Sequence, residues 1–329
     1  ISNTQYTGTG GRTQIIGDIK FPNEKPRAFL DKVFKGIGEN GKNLLLWTVG
    51  TFTEVVGYAA ELADITTGDS LINKTTATGT EKTRKLAKIA ARMKMSAESF
   101  EDLPQFTQRL ESKLIVKMDN WLDSEMWDGD GVDSTATDQH IYGIKAQSTA
   151  FAHANYPDIP HANIGDLADA CALQAMESGF KANTVWMHPR KVYEYRHTKD
   201  MNGNYIINQL ADGTLVMNGL QVVEANDFYT SNDGKYQMLV GDPSLIQLWT
   251  KRELELEVER EAKTDSYNIY VYGRNQVLVE DEDKKGLIYV ADIATDITNI
   301  TATAPSLNVA ITDPLNQAGD AVLMEEKTA

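Results

Sequence analysis

The sequence predicts an α+β fold, and three observations carry it. A single long helical period runs from Asp102 to Asp128, and a strictly alternating strand occupies Glu253 to Arg260. Between them lies a stretch in which short helical and short extended patterns take turns. The 329 residues are 41% hydrophobic and 24% charged, which is ordinary for a globular chain and enough to bury a real core. Length alone allows two domains, or one domain with long excursions.

The helix is the clearest element. Asp102 is a good N-cap and Pro104 sits in the first turn, where a missing N–H costs nothing. Leu103, Phe106, Leu110, Leu114, Met118, Trp121, Leu122 and Met126 recur at spacings of three and four, while Arg109, Lys113, Lys117, Asp119 and Asp123 fill the other face. The period stops at Asp128-Gly129-Asp130-Gly131, where two glycines permit a helix end and a reversal. In the strand, Leu254, Leu256 and Val258 face one way and Glu253, Glu255, Glu257 and Glu259 the other, so one face is core and one is solvent. Tyr267 to Tyr272, Gln276 to Val279 and Leu287 to Val290 read as further strands, joined at Gly273-Arg274-Asn275 and at Glu280 to Gly286, which predicts an antiparallel meander.

Asn163 to Phe180 reads as a second helix, Thr184 to Met187 as a buried strand, and Arg190 to Arg196 as a short helix after His188-Pro189. Asn202-Gly203 signals a turn, Gly219 to Glu224 and Tyr236 to Val240 read as short strands, and Asp242-Pro243-Ser244 punctuates the exit.

The remaining segments look outward. Residues 1 to 43 are rich in Gly with little apolar period, apart from a short helical stretch at Phe29 to Phe34, and read as an extended arm that is mobile or laid on neighbouring surfaces. Leu44 to Tyr58 reads as strand and Lys85 to Met95 as a second extended segment. Asp64 to Thr83 between them is too long for a hairpin turn and too polar for a core, and reads as a projecting loop that meets a partner. After Asp296 the periodicity fades into a tail with no assigned structure.

Charge and composition narrow the function classes. With 32 Lys and Arg against 47 Asp and Glu, the net charge of -15 repels phosphate, which disfavours sequence-specific nucleic-acid binding. The longest apolar windows fall far short of the ~20 residues a membrane helix requires. Cys171 has no second cysteine to pair with and lies in an apolar helical run, where a buried, inert thiol is expected.

The chemical motifs dissolve on inspection. Gly36-Ile-Gly-Glu-Asn-Gly41 matches a dinucleotide fingerprint in letters only, because Lys42 to Trp47 after it is strand-like and offers no helix N-terminus to a pyrophosphate. Asp128, Asp130 and Asp133 fail the calcium-loop spacing at Val132, and no Glu closes the loop. His153, Asp158 and His161 lack a regularly spaced third strong ligand for zinc, and Pro157 and Pro160 break the segment. No Ser lies in a G-x-S-x-G elbow. The sequence therefore assigns no catalytic, cofactor-binding or metal residue, and no cofactor.

Several short strings, in order, carry a resemblance. They are Phe100-Glu-Asp-Leu-Pro-Gln-Phe106 entering the long helix, Trp127-Asp-Gly-Asp-Gly131 leaving it, and Asn183-Thr-Val-Trp-Met-His-Pro-Arg190. Lys199-Asp-Met-Asn-Gly-Asn-Tyr205, Gly219-Leu-Gln-Val-Val223 and Val240-Gly-Asp-Pro243 follow. Over about residues 85 to 292 this order resembles the Hong Kong 97-type major capsid proteins of tailed bacteriophages. The resemblance implies an N-terminal arm at 1–43, an extended E-loop at 44–95, a spine helix of a peripheral domain at 96–131, an axial domain at 132–250, peripheral strands at 251–296 and a C-terminal tail at 297–329. It implies a non-enzymatic subunit that assembles with itself in pentamers and hexamers into an icosahedral shell around double-stranded DNA. Portal and decoration proteins would be its further partners, with assembly in the bacterial host cytoplasm and no membrane.

The family also implies finer expectations. Some members lose an N-terminal scaffolding segment to a protease, which would account for Ile1. A few crosslink an E-loop Lys to a peripheral-domain Asn beside a Glu that accepts the proton. Asn268 and one of Lys74, Lys82 or Lys85 match that pattern, but the position about seven residues beyond Asn268 is Asn275, so the proton acceptor is missing and crosslinking is not expected. Two other readings stand beside this one. An encapsulin-type nanocompartment shell would copurify with a cargo enzyme. A small-molecule α/β enzyme with a substrate loop at 59–84 would elute as a small oligomer, and no nucleophile, base and oxyanion constellation supports it.

Overall fold

The computed structural model describes residues 26–37, 44–53, 76–98, 104–131, 139–152, 159–199, 215–231 and 233–301. Its frame is two sheets and one long helix. Strands β1 (Phe34–Ile37), β4 (Ala87–Ser96), β12 (Gln247–Glu261) and β13 (Ser266–Leu278) form a four-stranded sheet in the order β1-β12-β13-β4. Helix α1 (Pro104–Asp128) packs on one face of it, burying Met118 and Leu122 with Ile89, Leu248 and Val271. Its 25 residues span ~37 Å at 1.5 Å each.

Strands β5 (Thr149–Ala150), β6 (Thr184–Met187), β7 (Val216–Met217), β8 (Leu220–Glu224), β11 (Met238–Gly241) and β14 (Ile288–Val290) form a six-stranded sheet, ordered β5-β14-β11-β6-β8-β7. Both faces of its centre are buried, which is why Thr184 to Met187 is a continuous apolar-rich run instead of an alternating one. Val185, Met187, Met238 and Val240 pack with α3 (Ile164–Glu177) and α5 (Ile293–Ile300). Trp186 and Leu239 point the other way, into the core shared with α1. Local chemistry sets the helix starts: Asn163 caps α3 in a reciprocal pair with Asp166, and His188 caps α4 (Pro189–Arg196) with proline at its first position. A small ribbon of β9 (Tyr229–Thr230) and β10 (Lys235–Tyr236) and a four-residue helix, α2 (Ile144–Gln147), complete the described elements with the hairpin β2 (Leu44–Thr53) and β3 (Thr76–Lys85).

Several expectations change. Gly273-Arg274-Asn275 is no joint: β13 runs straight through it, and the irregularity falls on β12, where the register shifts between Thr250 and Arg252 and again between Arg252 and Glu255. Gly273 is small because a Cβ there would meet Leu254 Cδ2 at 3.1 Å and the Arg252 carbonyl oxygen at 3.2 Å. The meander ends with β13, since β14 pairs with β11 and β5 in the other sheet. The chain past Asp296 continues as α5, whose start is fixed by Asp292 accepting from Ala294 N at 3.2 Å, and Thr301 then bridges to Ile159.

The polar stretch read as loop is strand from Thr76 onward: β2 and β3 pair over ten residues, from Leu44 opposite Lys85 to Thr53 opposite Thr76. Residues 78–83 of β3 are exposed on both faces, which demands no apolar alternation, so its threonines mimic a loop. The short helix expected at Phe29 to Phe34 is one turn, Val33 N bonding Phe29 O at 3.1 Å, before the chain extends into β1. This part of the arm is core: Phe29 is 1% exposed and stacks on Trp186 at 5.5 Å and on Trp127 and Phe228 at 6.0 Å.

On α1 the predicted faces shift. Trp121 is 46% exposed, Asp123 is buried, and Trp127, absent from the predicted stripe, lies 3.9 Å from Phe228 in the centre of the core. The glycine exit serves a close approach. A Cβ on Gly129 would stand 2.4 Å from the Ile141 carbonyl oxygen, and Gly131 has φ +63. Residues 139–143 therefore return directly against the helix end, with Gly131 N bonding Ile141 O at 3.0 Å.

Candidate assembly surfaces

The hairpin of β2 and β3 leaves the body at a base built from polar side chains. Arg84, on β3, donates to Gln147 Oε1 at 2.8 Å and to the Val277 carbonyl at 3.0 Å, with its guanidinium 4.4 Å from the Tyr142 ring and 5.4 Å from the Trp47 ring. Burial pulls its pKa down, and the nearby Tyr142 and Asp281 oppose that. Gln147 is held in turn, donating to Tyr142 O at 2.8 Å and accepting from Val279 N at 3.1 Å. Gln276 ties the same junction, accepting from Tyr142 N at 2.9 Å and donating to Lys85 O at 3.0 Å.

An ion pair completes the base. Asp281 accepts from Lys82 at 2.8 Å and from Lys284 at 2.7 Å, and these bonds, that from Lys284 first, hold its carboxyl down at about 2. Hence the hairpin is anchored at this end, and within the base Leu46, opposite Thr83 between the two anchors, is 58% exposed. An apolar side chain in that position suits contact with another molecule.

The arm is fastened by one carboxylate. Asp123 accepts from three successive backbone N–H groups, Ala28 at 2.8 Å, Phe29 at 2.9 Å and Leu30 at 2.7 Å. Arg27 adds an ion pair to Asp119, one turn earlier on α1, at 3.1 Å. Three converging donors satisfy a buried carboxylate without a cation.

Residues considered for chemistry are now placed. Asp128 pairs with Lys145 at 2.7 Å and Asp130 with His140 at 2.8 Å, and among the described residues no group of three or more His, Cys, Asp or Glu is arranged to hold a metal ion. Asp133, His153 and Asp158 lie outside the described residues, as do Lys74, residues 1–25 and the Asn202-Gly203 turn. Cys171 is buried in α3, and burial, then Asp296, pushes its thiol well up. Gly36 sits in β1 because a Cβ would stand 2.7 Å from the Trp249 ring, which explains one glycine of the apparent fingerprint by packing.

Asn268 is buried on β13, and Asn275 is buried as well. The glutamate expected to be missing does stand beside Asn268: Glu261 lies within 3.4 Å, reaching it from the neighbouring strand at a position seven residues earlier instead of later. Lys94 already bonds Glu261 at 2.7 Å, and that bond leads the causes holding its carboxyl below the ordinary range. Among the described residues no helix is long and apolar enough to cross a membrane.

Comparison with known proteins meets this geometry. The model of the phage capsid family matches residues 30–283, well over half the chain. The described fold superposes on the capsid of a native GTA particle computed with C5 symmetry, with a TM-score of 0.66 and 16% identity over 88% of this chain and 97% of that one. A chain from Microbacterium phage Oxtober96 gives 0.62 at 15% identity, covering 85% and 95%, and one from Mycobacterium phage Adephagia gives 0.59 at 13%, covering 85% and 92%. No curated protein matches by sequence. At such identities the structures establish a shared fold, the Hong Kong 97-like α+β arrangement.

Proposed function

This chain belongs to the phage capsid family, and from that premise we propose how its parts build a shell. It is a major capsid protein, a structural subunit of an icosahedral bacteriophage capsid, and the match over residues 30–283 is the observation that carries this. Its work is geometry: many copies bury modest interfaces, and symmetry multiplies each contact.

In our reading the six-stranded sheet with α3 to α5 is the axial domain, taking in 132–250 and also β14 and α5. It would meet its copies in pentamers and hexamers. Helix α1 and the four-stranded sheet are the peripheral domain. The hairpin within 44–95, anchored at Arg84 and Lys82, is the E-loop that reaches a neighbour. Double-stranded DNA fills the shell, and the net charge of -15 suits a wall that holds DNA without gripping it. A portal protein and decoration proteins are further partners, and assembly takes place in the host cytoplasm.

Expression of the chain followed by sizing and electron microscopy tests this. The expected result is capsomers or megadalton particles with closed, icosahedral outlines. A stable monomer or small discrete oligomer at every concentration would overturn it.

A further inference from the structure

The two residues that turn β7 into β8, Asn218 and Gly219, are exposed, with φ of +50 and +89. Val216 pairs with Gln221 and Met217 with Leu220 on either side, so this is a two-residue hairpin of the type I′ form that Asn-Gly favours. Asn218 also reaches α3. Its amide nitrogen donates to Asp169 Oδ2 at 2.9 Å and to the Gly165 carbonyl at 3.2 Å, which pins the edge of the six-stranded sheet to the helix.

Asn followed by Gly is also a reactive pair. With no Cβ to shield it, the Gly219 backbone nitrogen can attack Asn218 Cγ. The Cγ–Nδ2 bond breaks, Nδ2 leaves as ammonia with the proton that Gly219 gives up, and a five-membered succinimide closes. Water then opens the ring at either carbonyl. The product is aspartate or, with the main chain rerouted through the side chain, isoaspartate.

Two features of the fold oppose the first step. In a type I′ turn the second residue's nitrogen lies on the far side of Cα from the first residue's side chain, so the ring closes only once the turn opens. The leaving nitrogen is also held by a carboxylate and a carbonyl, and breaking a hydrogen bond to a charged acceptor on the way to reaction slows a step about tenfold or more. The product, in turn, does not fit the docked turn. Aspartate at this position sets a carboxylate against Asp169 and the Gly165 carbonyl, three acceptors and no donor. The Asp169 carboxyl is already raised, by burial first and also by Asp166, and the Asn218 bond is the opposing influence that the reaction removes. Isoaspartate adds a backbone methylene to a turn built for two residues.

We infer that Asn218 is a guarded deamidation site: docking of the β7–β8 turn on α3 suppresses the reaction, and deamidation during an opening keeps the turn from docking again. A reversible local opening thereby becomes a permanent one. The inference concerns contacts within one subunit and does not rest on the capsid reading.

Peptide mapping by mass spectrometry in warm, mildly alkaline buffer tests it, with a synthetic peptide of residues 215–223 as the unguarded reference. Asn218 in the folded full chain should convert about tenfold or more slowly than in the peptide. Asp169→Ala should raise the rate toward the peptide's while the circular dichroism spectrum stays that of the parent. Asn218→Asp, which carries the product's charge, should melt earlier than the parent, and adding Asp169→Asn should restore part of the loss by returning a donor to the pair. Equal rates in chain and peptide, an unchanged rate in Asp169→Ala, Asn218→Asp melting with the parent, or a double variant no better than the single would each overturn the inference. If Asp169→Ala does not fold, Asp169→Asn alone replaces it, and by losing the charge it must still quicken the conversion, or the inference fails.

Discussion

Asp123 shows how much one side chain can hide from a sequence reading. It sits on the polar side of the helical stripe by period, yet it is 5% exposed and accepts three backbone N–H groups from residues 28–30. Nothing in its neighbours signals this, because its partners lie more than ninety positions away. Asp123→Ala strands those donors, and with a buried orphan costing about 1–3 kcal/mol each, a loss of ~3 kcal/mol or more is expected in urea unfolding. Asp123→Asn keeps an acceptor oxygen and should lose less. A shift below about 0.5 kcal/mol for the alanine variant, the scale of a plain surface change, would show that the arm needs no such anchor. The same blindness affects Glu261, which reaches Asn268 across strands, and Lys82, which is committed to Asp281. Glu261 beside Asn268 removes the original ground for expecting no crosslink, which now rests on Lys82 being taken up by Asp281: boiled, denatured particles should run as a single band near 36.5 kDa. A ladder of subunit multiples would contradict it.

At the scale of elements, what was legible was what periodicity encodes. The long helix, the buried strand at 184–187 and the capped helices carry a one-sided or continuous burial pattern and are present where expected, and the alternating strand at 253–260 is present too, although Val258, expected on the core face, is 41% exposed. The β2–β3 ribbon was half missed because β3 from Thr78 to Thr83 is exposed on both faces, and α5 was missed because its Thr and Asn blend into the polar tail that follows it. The hairpin base was invisible for another reason. Gln147 and Gln276 act through backbone groups brought together by tertiary folding, a role no local pattern marks. The base should respond to acid in a defined direction. Asp281 has its pKa lowered from 3.8 to about 2, so its stabilising effect is complete above pH 4 and is lost as pH falls through about 2. Hydrogen exchange of the described amides of β2 and β3 should therefore quicken relative to α3 between pH 4 and 2, and Asp281→Asn should show the quicker rate at neutral pH. Equal ratios in parent and variant would mean that Arg84 and its glutamine hold the ribbon alone.

For the molecule as a whole, the two sheets are joined by a shared aromatic centre. Trp186 comes from the six-stranded sheet, Trp127 from α1, Phe228 from the turn before β9, and Phe29 from the arm, all in one stacked group. An arm read as purely outward-facing is thus divided by function, since residues 28–37 complete the fold of their own subunit. Two deletions separate these roles. Removing residues 1–25 leaves the described contacts of residues 26–37 in place, and a fall in particle yield at an unchanged melting temperature would report contacts between subunits. Removing residues 1–37 takes out Phe29, the Asp123 ligands and the edge strand β1, and loss of a buried Phe side chain alone costs about 3–5 kcal/mol. Because Phe29 touches groups from both halves, the longer deletion should destabilise them together, with tryptophan fluorescence and far-ultraviolet circular dichroism shifting to one lower, coincident transition. If fluorescence melted early while the helical signal held, the aromatic centre would be a local plug, and the halves would be separately stable domains.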